Sequence, residues 1–336
     1  MAISKSFEGF PPREGSSRNR VLLPLLLLTV LSTLAASFLF GELLLPLAAA
    51  LLAAVIALEP GFGRSRLYTV LTVVAVILSD ALMTLSVPYL AIEICAVAFI
   101  IAALSRRGVQ KGECVFYVSV ALTLFAIAAL AIVAFGGAGE ISVTAFRDYY
   151  LALYGQLREM FVDAVASAIE RTQTGLSVGV ADVVAMFDGM VALLPSVVLT
   201  CIFILSGITL KIYSGVLSRV CSPKVTRWLR AWRFSVPKLL YIAFWVFTVL
   251  SIFMGDMQSD LSIIVVNVAT VLNVIFAYLG IWVAYYFLMG VFRGRGALAV
   301  TVIAFAFLFM GTVAVDLLAI FGAIITPNNR VWDNDN

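Results

Sequence analysis

The chain of 336 residues contains no histidine. Ser-His-Asp hydrolysis, HExxH zinc chemistry and phosphoryl transfer through histidine all need an imidazole that titrates near neutral pH, so these mechanisms are excluded within this chain. Charge is scarce too: Asp, Glu, Lys and Arg make up 12% of the residues, against about 25% in a soluble domain. That leaves too little polar surface to cover a water-facing globule. The net charge of +3 supplies no basic face for nucleic acid. Cysteine is confined to Cys95, Cys114, Cys201 and Cys221 with no CxxC pair, which points away from a disulfide framework or a thiolate metal site. A Walker sequence and a GxGxxG turn are also absent, so an ATPase driving any transport would be a separate subunit. No metal, no cofactor and no enzymatic activity are expected.

What the chain has is hydrocarbon. Hydrophobic residues are 63% of the sequence and the mean hydropathy is +1.09. Runs of roughly 20 apolar residues, enough to cross a bilayer core, alternate with short polar turns. The stretch from Lys211 to Lys238 fixes their direction. It carries Lys211, Arg219, Lys224, Arg227, Arg230 and Arg233 with no carboxylate among them. Short loops rich in Lys and Arg stay on the cytoplasmic side, and the aromatic and basic residues around Trp228 and Trp232 suit a membrane-surface segment.

From that anchor the chain reads as an all-α, polytopic transmembrane helix bundle of about nine spans with one extracytoplasmic amphipathic helix. Residues 1–20 form a disordered basic cytoplasmic tail. Residues 21–135 form an N-terminal bundle with spans at Val21 to Phe40, Leu43 to Leu58, Leu67 to Val87, Tyr89 to Leu104 and Cys114 to Phe135. A cleaved signal peptide is the rival reading of the first run, opposed by the apolar run that follows almost at once. Residues 136–189 are the outer segment, where Phe146, Tyr150, Leu153, Leu157, Phe161, Ala164 and Ala168 recur at helical spacing, with Arg158, Glu159, Asp163 and Glu170 elsewhere on the wheel. Residues 190–322 make a second bundle whose last span runs from Ala297 to Gly322, and residues 323–336 a short outer tail. The protein is therefore expected in the bacterial inner membrane, with its N-terminus cytoplasmic and its C-terminus extracytoplasmic.

Ionisable groups inside spans are the best functional pointers, because a charge at the centre of a span costs about 2.5–3.5 kcal/mol on insertion scales. Asp80, Glu93 and Asp316 lie roughly 10, 6 and 9 Å below the outer ends of their spans, with no basic residue at that depth. They could receive a cationic solute, or be solvated near the interface and bonded to backbone. Asn267, Thr270 and Asn273 share one helix face, as a cavity wall or as interhelical glue. Gly207, Gly215 and Gly280 would allow close helix packing.

The run Leu193-Leu194-Pro195-Ser196 with the span after it, then Trp232-Arg233 and Pro237, resembles the C-terminal half of the YybS-like family of predicted bacterial membrane proteins. The likeness covers roughly Met190 to Met289. Tyr278-Leu279-Gly280 stands where that family usually carries a Gln-Gly pair. The family's function is unknown, and its N-terminal region is similar in plan to the substrate-binding subunits of energy-coupling-factor transporters. Two functions follow as expectations. One is a transporter-like component that binds a small solute through Asp80, Glu93, Asp316, Asn267 and Asn273, with a separate energising or partner membrane subunit. The other is a non-transporting membrane scaffold or envelope-assembly factor that docks partners through the basic loop.

Overall fold

The computed structural model describes residues 10, 12, 15–62, 66–84, 88–109, 111–138, 142–172, 180–221, 238–254, 259–292, 295–310 and 312–325. Lys224, Arg227, Arg230 and Arg233, together with Trp228, Trp232, Pro237 and the tail after 325, lie outside them. Among the described residues the chain is helical, and its only β-type pairing is an isolated antiparallel bridge between Pro12 and Cys221. The helices are α1 (Arg18–Ala35), α2 (Leu45–Leu58), α3 (Leu67–Thr84), α4 (Tyr89–Arg106), α5 (Lys111–Ala138), α6 (Val143–Thr172), α7 (Val180–Val220), α8 (Lys238–Phe253), α9 (Asp260–Val291), α10 (Gly296–Met310) and α11 (Thr312–Ile325). A π-helical turn, Ala36–Phe40, and a 3-10 turn, Gly41–Leu44, join α1 to α2, and a second 3-10 turn, Glu59–Phe62, follows α2.

Six helical stretches are long and apolar enough to cross a membrane: Arg18–Phe38, Leu45–Phe62, Tyr89–Arg106, Glu113–Gly136, Ala181–Val220 and Leu261–Val291. Shorter apolar helices cover Leu67–Met83, Leu239–Phe253, Gly296–Ala306 and Val313–Ile324. The surface fits the same conclusion. α1 buries Thr29, Ser32 and Thr33, each bonded back to its own helix, and exposes Leu23, Leu27, Leu28 and Leu31 at 47–60%. A helix of a water-soluble protein would turn that face inward, so this apolar surface is consistent with a membrane-embedded protein.

The chain divides into two compact units: residues 1–122, 201–241 and 275–336, and residues 123–200 and 242–274. In the first, α2 is the central post. Nearly all its side chains from Leu45 to Leu58 are buried, and α1, α3 and α4 pack around it. Its run of alanines lets the neighbouring backbones come close. Phe10, expected in a free tail, is instead buried, with its carbonyl against Gly61 in the turn after α2. Arg18, Asn19 and Arg20, also expected in that tail, open α1.

The two ends of α7 differ from the sequence reading: it begins at Val180 rather than at Met190, inside the segment expected to lie outside the second bundle. The helix expected to end near Leu210 continues to Val220, so Lys211 and Arg219 lie on α7 rather than in a loop. The reason is that Leu210, Tyr213 and Leu217 extend one buried stripe at helical spacing. The last expected span is covered by α10 and α11, on either side of residue 311, which lies outside the described residues. α11 runs antiparallel to α9, because Gly280 faces the Leu318 carbonyl and Gly322 faces that of Phe276.

In the second unit, α6 is the helix expected over the outer segment. It meets α7 through Tyr154 and Phe161, whose rings flank Phe187 at 5.6 and 5.3 Å. Tyr154 Oη donates to Asp188, and Arg158 Nε lies 3.6 Å from the same carboxylate. The contacting face is thus turned toward Tyr154 and Arg158, while Leu157, Ala164 and Ala168, expected on it, are exposed.

Candidate functional site

Asp80 is buried, and its two oxygens have definite partners. Oδ1 accepts from Ser37 Oγ at 2.9 Å and Oδ2 from the Ala91 N–H at 2.8 Å. Ala91 is the third residue of α4, where helix geometry leaves backbone donors without an intrahelical acceptor. Pro88 occupies the N-cap position with no side chain to offer, so α3 supplies the missing cap across the hairpin. The π-helical turn after α1 brings Ser37 to the other oxygen.

The same device occurs at the opposite end of α3, on a residue that lies between the expected spans Leu43 to Leu58 and Leu67 to Val87. Glu59 is fully buried. Its Oε1 accepts from the Tyr68 N–H and from Arg18 Nη2, both at 2.8 Å, and its Oε2 accepts from the Thr69 N–H at 2.8 Å. The carboxylate therefore closes the first turn of α3 and pins the start of α1 beside it. The sequence did carry a signal for it: Glu59 is the lone acid in a turn followed by Arg64 and Arg66.

Glu93 is buried on α4, two residues beyond the Ala91 N–H that Asp80 accepts. Asp316 is exposed on α11. These three residues lie in the first unit, whereas Asn267 and Asn273 belong to the second. Asn267 has a specific task. Its side-chain carbonyl accepts the Ser196 N–H at 3.0 Å, and its amide nitrogen donates to the Ala192 carbonyl at 2.7 Å and to the Ile263 carbonyl at 2.9 Å. Ser196 N–H and Ala192 C=O are the two groups an undisturbed helix would pair directly. Pro195 stands between them, and the Asn267 amide is bonded to both groups across that turn of α7. Asn273 is half-buried on α9.

Of the basic set, Lys211 places its ammonium 5.9 Å from the Trp282 ring centroid, and Arg219 is exposed in the last turn of α7. No family model, no curated protein and no solved structure matches the chain. Its chemistry has to be argued from its own residues.

The described residues hold no group of three His, Cys, Asp or Glu placed to bind a metal. A cleft does occur where α2, α3 and α4 meet at the Arg18 and Glu59 end. It encloses about 190 Å³, and two guanidinium groups, Arg66 and Arg106, line it.

Proposed function

We propose that the chain is a multi-pass membrane protein that works as a docking component, with its N-terminus and basic end in the cytoplasm. The alternative, a carrier of small cationic solutes, asks Asp80 and Asn267 to face a cavity. The observation that carries the docking reading is that both are already engaged by the fold, Asp80 as the cap of α4 and Asn267 as the bridge across Pro195. Orientation follows from charge. Arg18, Arg66 and Arg106 gather around the end of α2, with Arg107 and Lys111 next in sequence, which is the distribution that keeps an end cytoplasmic. In the sequence, Lys211, Arg219, Lys224, Arg227, Arg230 and Arg233 form a basic run without a carboxylate, to which an acidic partner could be drawn. The expected likeness to the YybS-like family, whose function is unknown, bears only on the chain being a membrane protein and not on its partner.

The test is thermal unfolding of the purified chain in neutral detergent, with and without sodium, calcium and quaternary ammonium salts, for wild type, Asp80→Asn and Glu93→Gln. The docking reading expects a lower Tm for Asp80→Asn and no cation-specific stabilisation of the wild type. A cation that raises the wild-type Tm, and loses that effect in both variants, would establish the carrier reading instead.

A further inference from the structure

We infer that the cleft between α2, α3 and α4 is a site for one anionic phospholipid, holding its phosphate between Arg66 and Arg106. The inference rests on the membrane-embedded fold and not on the docking reading. The cleft's volume of about 190 Å³ matches about six waters at ~30 Å³ each, enough for a phosphate and part of a glycerol. Among the described residues its lining includes two guanidiniums and no carboxylate. The nearest acid in sequence, Glu59, is already bonded to Arg18 and to the first turn of α3.

Arg106 is the anchor. Its Nη2 donates to the Ile56 carbonyl at the end of α2, which holds the side chain across the helix seam. Its Nε is buried and has no hydrogen-bond partner among the described residues. A buried donor without an acceptor is costly, and a phosphate oxygen supplies one. Arg66, exposed at the start of α3, can close on the same group from the other side. The α4 wall of the cleft then changes character along its length. Phe99, Ala103 and Arg106 follow one another at helical spacing, so the lining passes from a ring 48% exposed to a guanidinium within about 10 Å. An acyl chain against Phe99 and a phosphate at Arg106 reproduce that order. A soluble phosphate would use only the basic half.

Native mass spectrometry of the full chain in neutral detergent decides the matter, titrating short-chain phosphatidylglycerol, the matching phosphatidylcholine and glycerol 1-phosphate. Phosphatidylglycerol should bind most tightly. Arg66→Gln should weaken it about fivefold, the worth of one cationic contact with anionic lipid, and Arg106→Gln by at least as much. Phe99→Ala should weaken the lipid and leave glycerol 1-phosphate unchanged, and Arg147→Gln, on α6, should change neither. Because Arg106 also holds α2, Arg66→Gln is the decisive variant. Wild-type affinity for phosphatidylglycerol in Arg66→Gln would overturn the site. Equal binding of phosphatidylcholine would overturn its charge selectivity. Glycerol 1-phosphate binding as tightly as the lipid would overturn the lipid and leave a soluble phosphate as the ligand.

Discussion

A carboxylate buried in an apolar bundle is tolerable when it meets donors that have nothing else to meet. Glu59 and Asp80 both do this with the first-turn amides of the next helix, a position that also suits their charge to the positive end of the helix dipole. Glu59→Ala removes the acceptor for two backbone N–H groups and for Arg18, and should cost about 3 kcal/mol or more. Asp80→Asn keeps one acceptor oxygen and should cost about 1 kcal/mol, with Asp80→Ala near 2. Denaturant titration in detergent would rank the three, and an Asp80→Ala variant as stable as wild type would refute the capping role. The depth of Asp80 was legible in the sequence because an acid inside an apolar run stands out. Its role was not, since the partner N–H belongs to a different helix and backbone donors leave no trace in residue identity. Glu59 was missed for the complementary reason: a Glu-Pro-Gly turn looks like an ordinary exposed connection until Arg18, 41 residues earlier, is set against it.

Elements were easier to place than residues, and the misplacements have a common cause. Helix cores in hydrocarbon follow apolar runs, so α3, α4 and α5 lie close to where the sequence puts them. Ends follow packing: α7 passes Lys211 because Tyr213 and Leu217 still have a surface to bury against. Glycines divide the same way. Gly207 and Gly215, expected at close helix contacts, have nothing within 4 Å of a would-be Cβ, whereas Gly280 and Gly322 would drive one into the facing backbone. Gly280→Ala and Gly322→Ala should therefore lower the Tm markedly, by several degrees each, while Gly207→Ala stays near wild type or gains slightly. The Asn267 bridge gives a coupled prediction. Asn267→Leu should cost about 1–2 kcal/mol in the native background and less in Pro195→Ala, where Ser196 and Ala192 can pair directly. Equal costs in the two backgrounds would mean the amide does not bridge that turn.

At the scale of the whole molecule, two surfaces can be probed chemically. Cys221 is buried beside Pro12, and burial pushes its thiol up to about 12. The thiolate form is disfavoured in the fold, so the raised value contributes stability that is present below the unfolded pKa and lost as pH rises toward 12. Maleimide at pH 8 should leave Cys221 unlabelled in the folded protein and modify it once residues 1–12 are deleted. Rapid labelling of the intact chain would contradict the bridge. A lipid-soluble photoreagent should mark Leu28 and Leu31 on α1 but spare Ala50 to Ala54 on α2.

The enclosure of α2 also sets an order of events during synthesis. α2 leaves the ribosome after α1 but before α3 and α4, so the sides those two helices will cover first meet lipid, and it must exchange that lipid for protein as its jacket is built. Glu59 travels with it and obtains its backbone donors only when α3 arrives, and Asp80 in turn waits for α4. Each hairpin is completed by the helix after it. A nascent chain stopped at residue 84 would present an uncapped acid in the bilayer, and a membrane protease should remove it far faster than a chain stopped at residue 107.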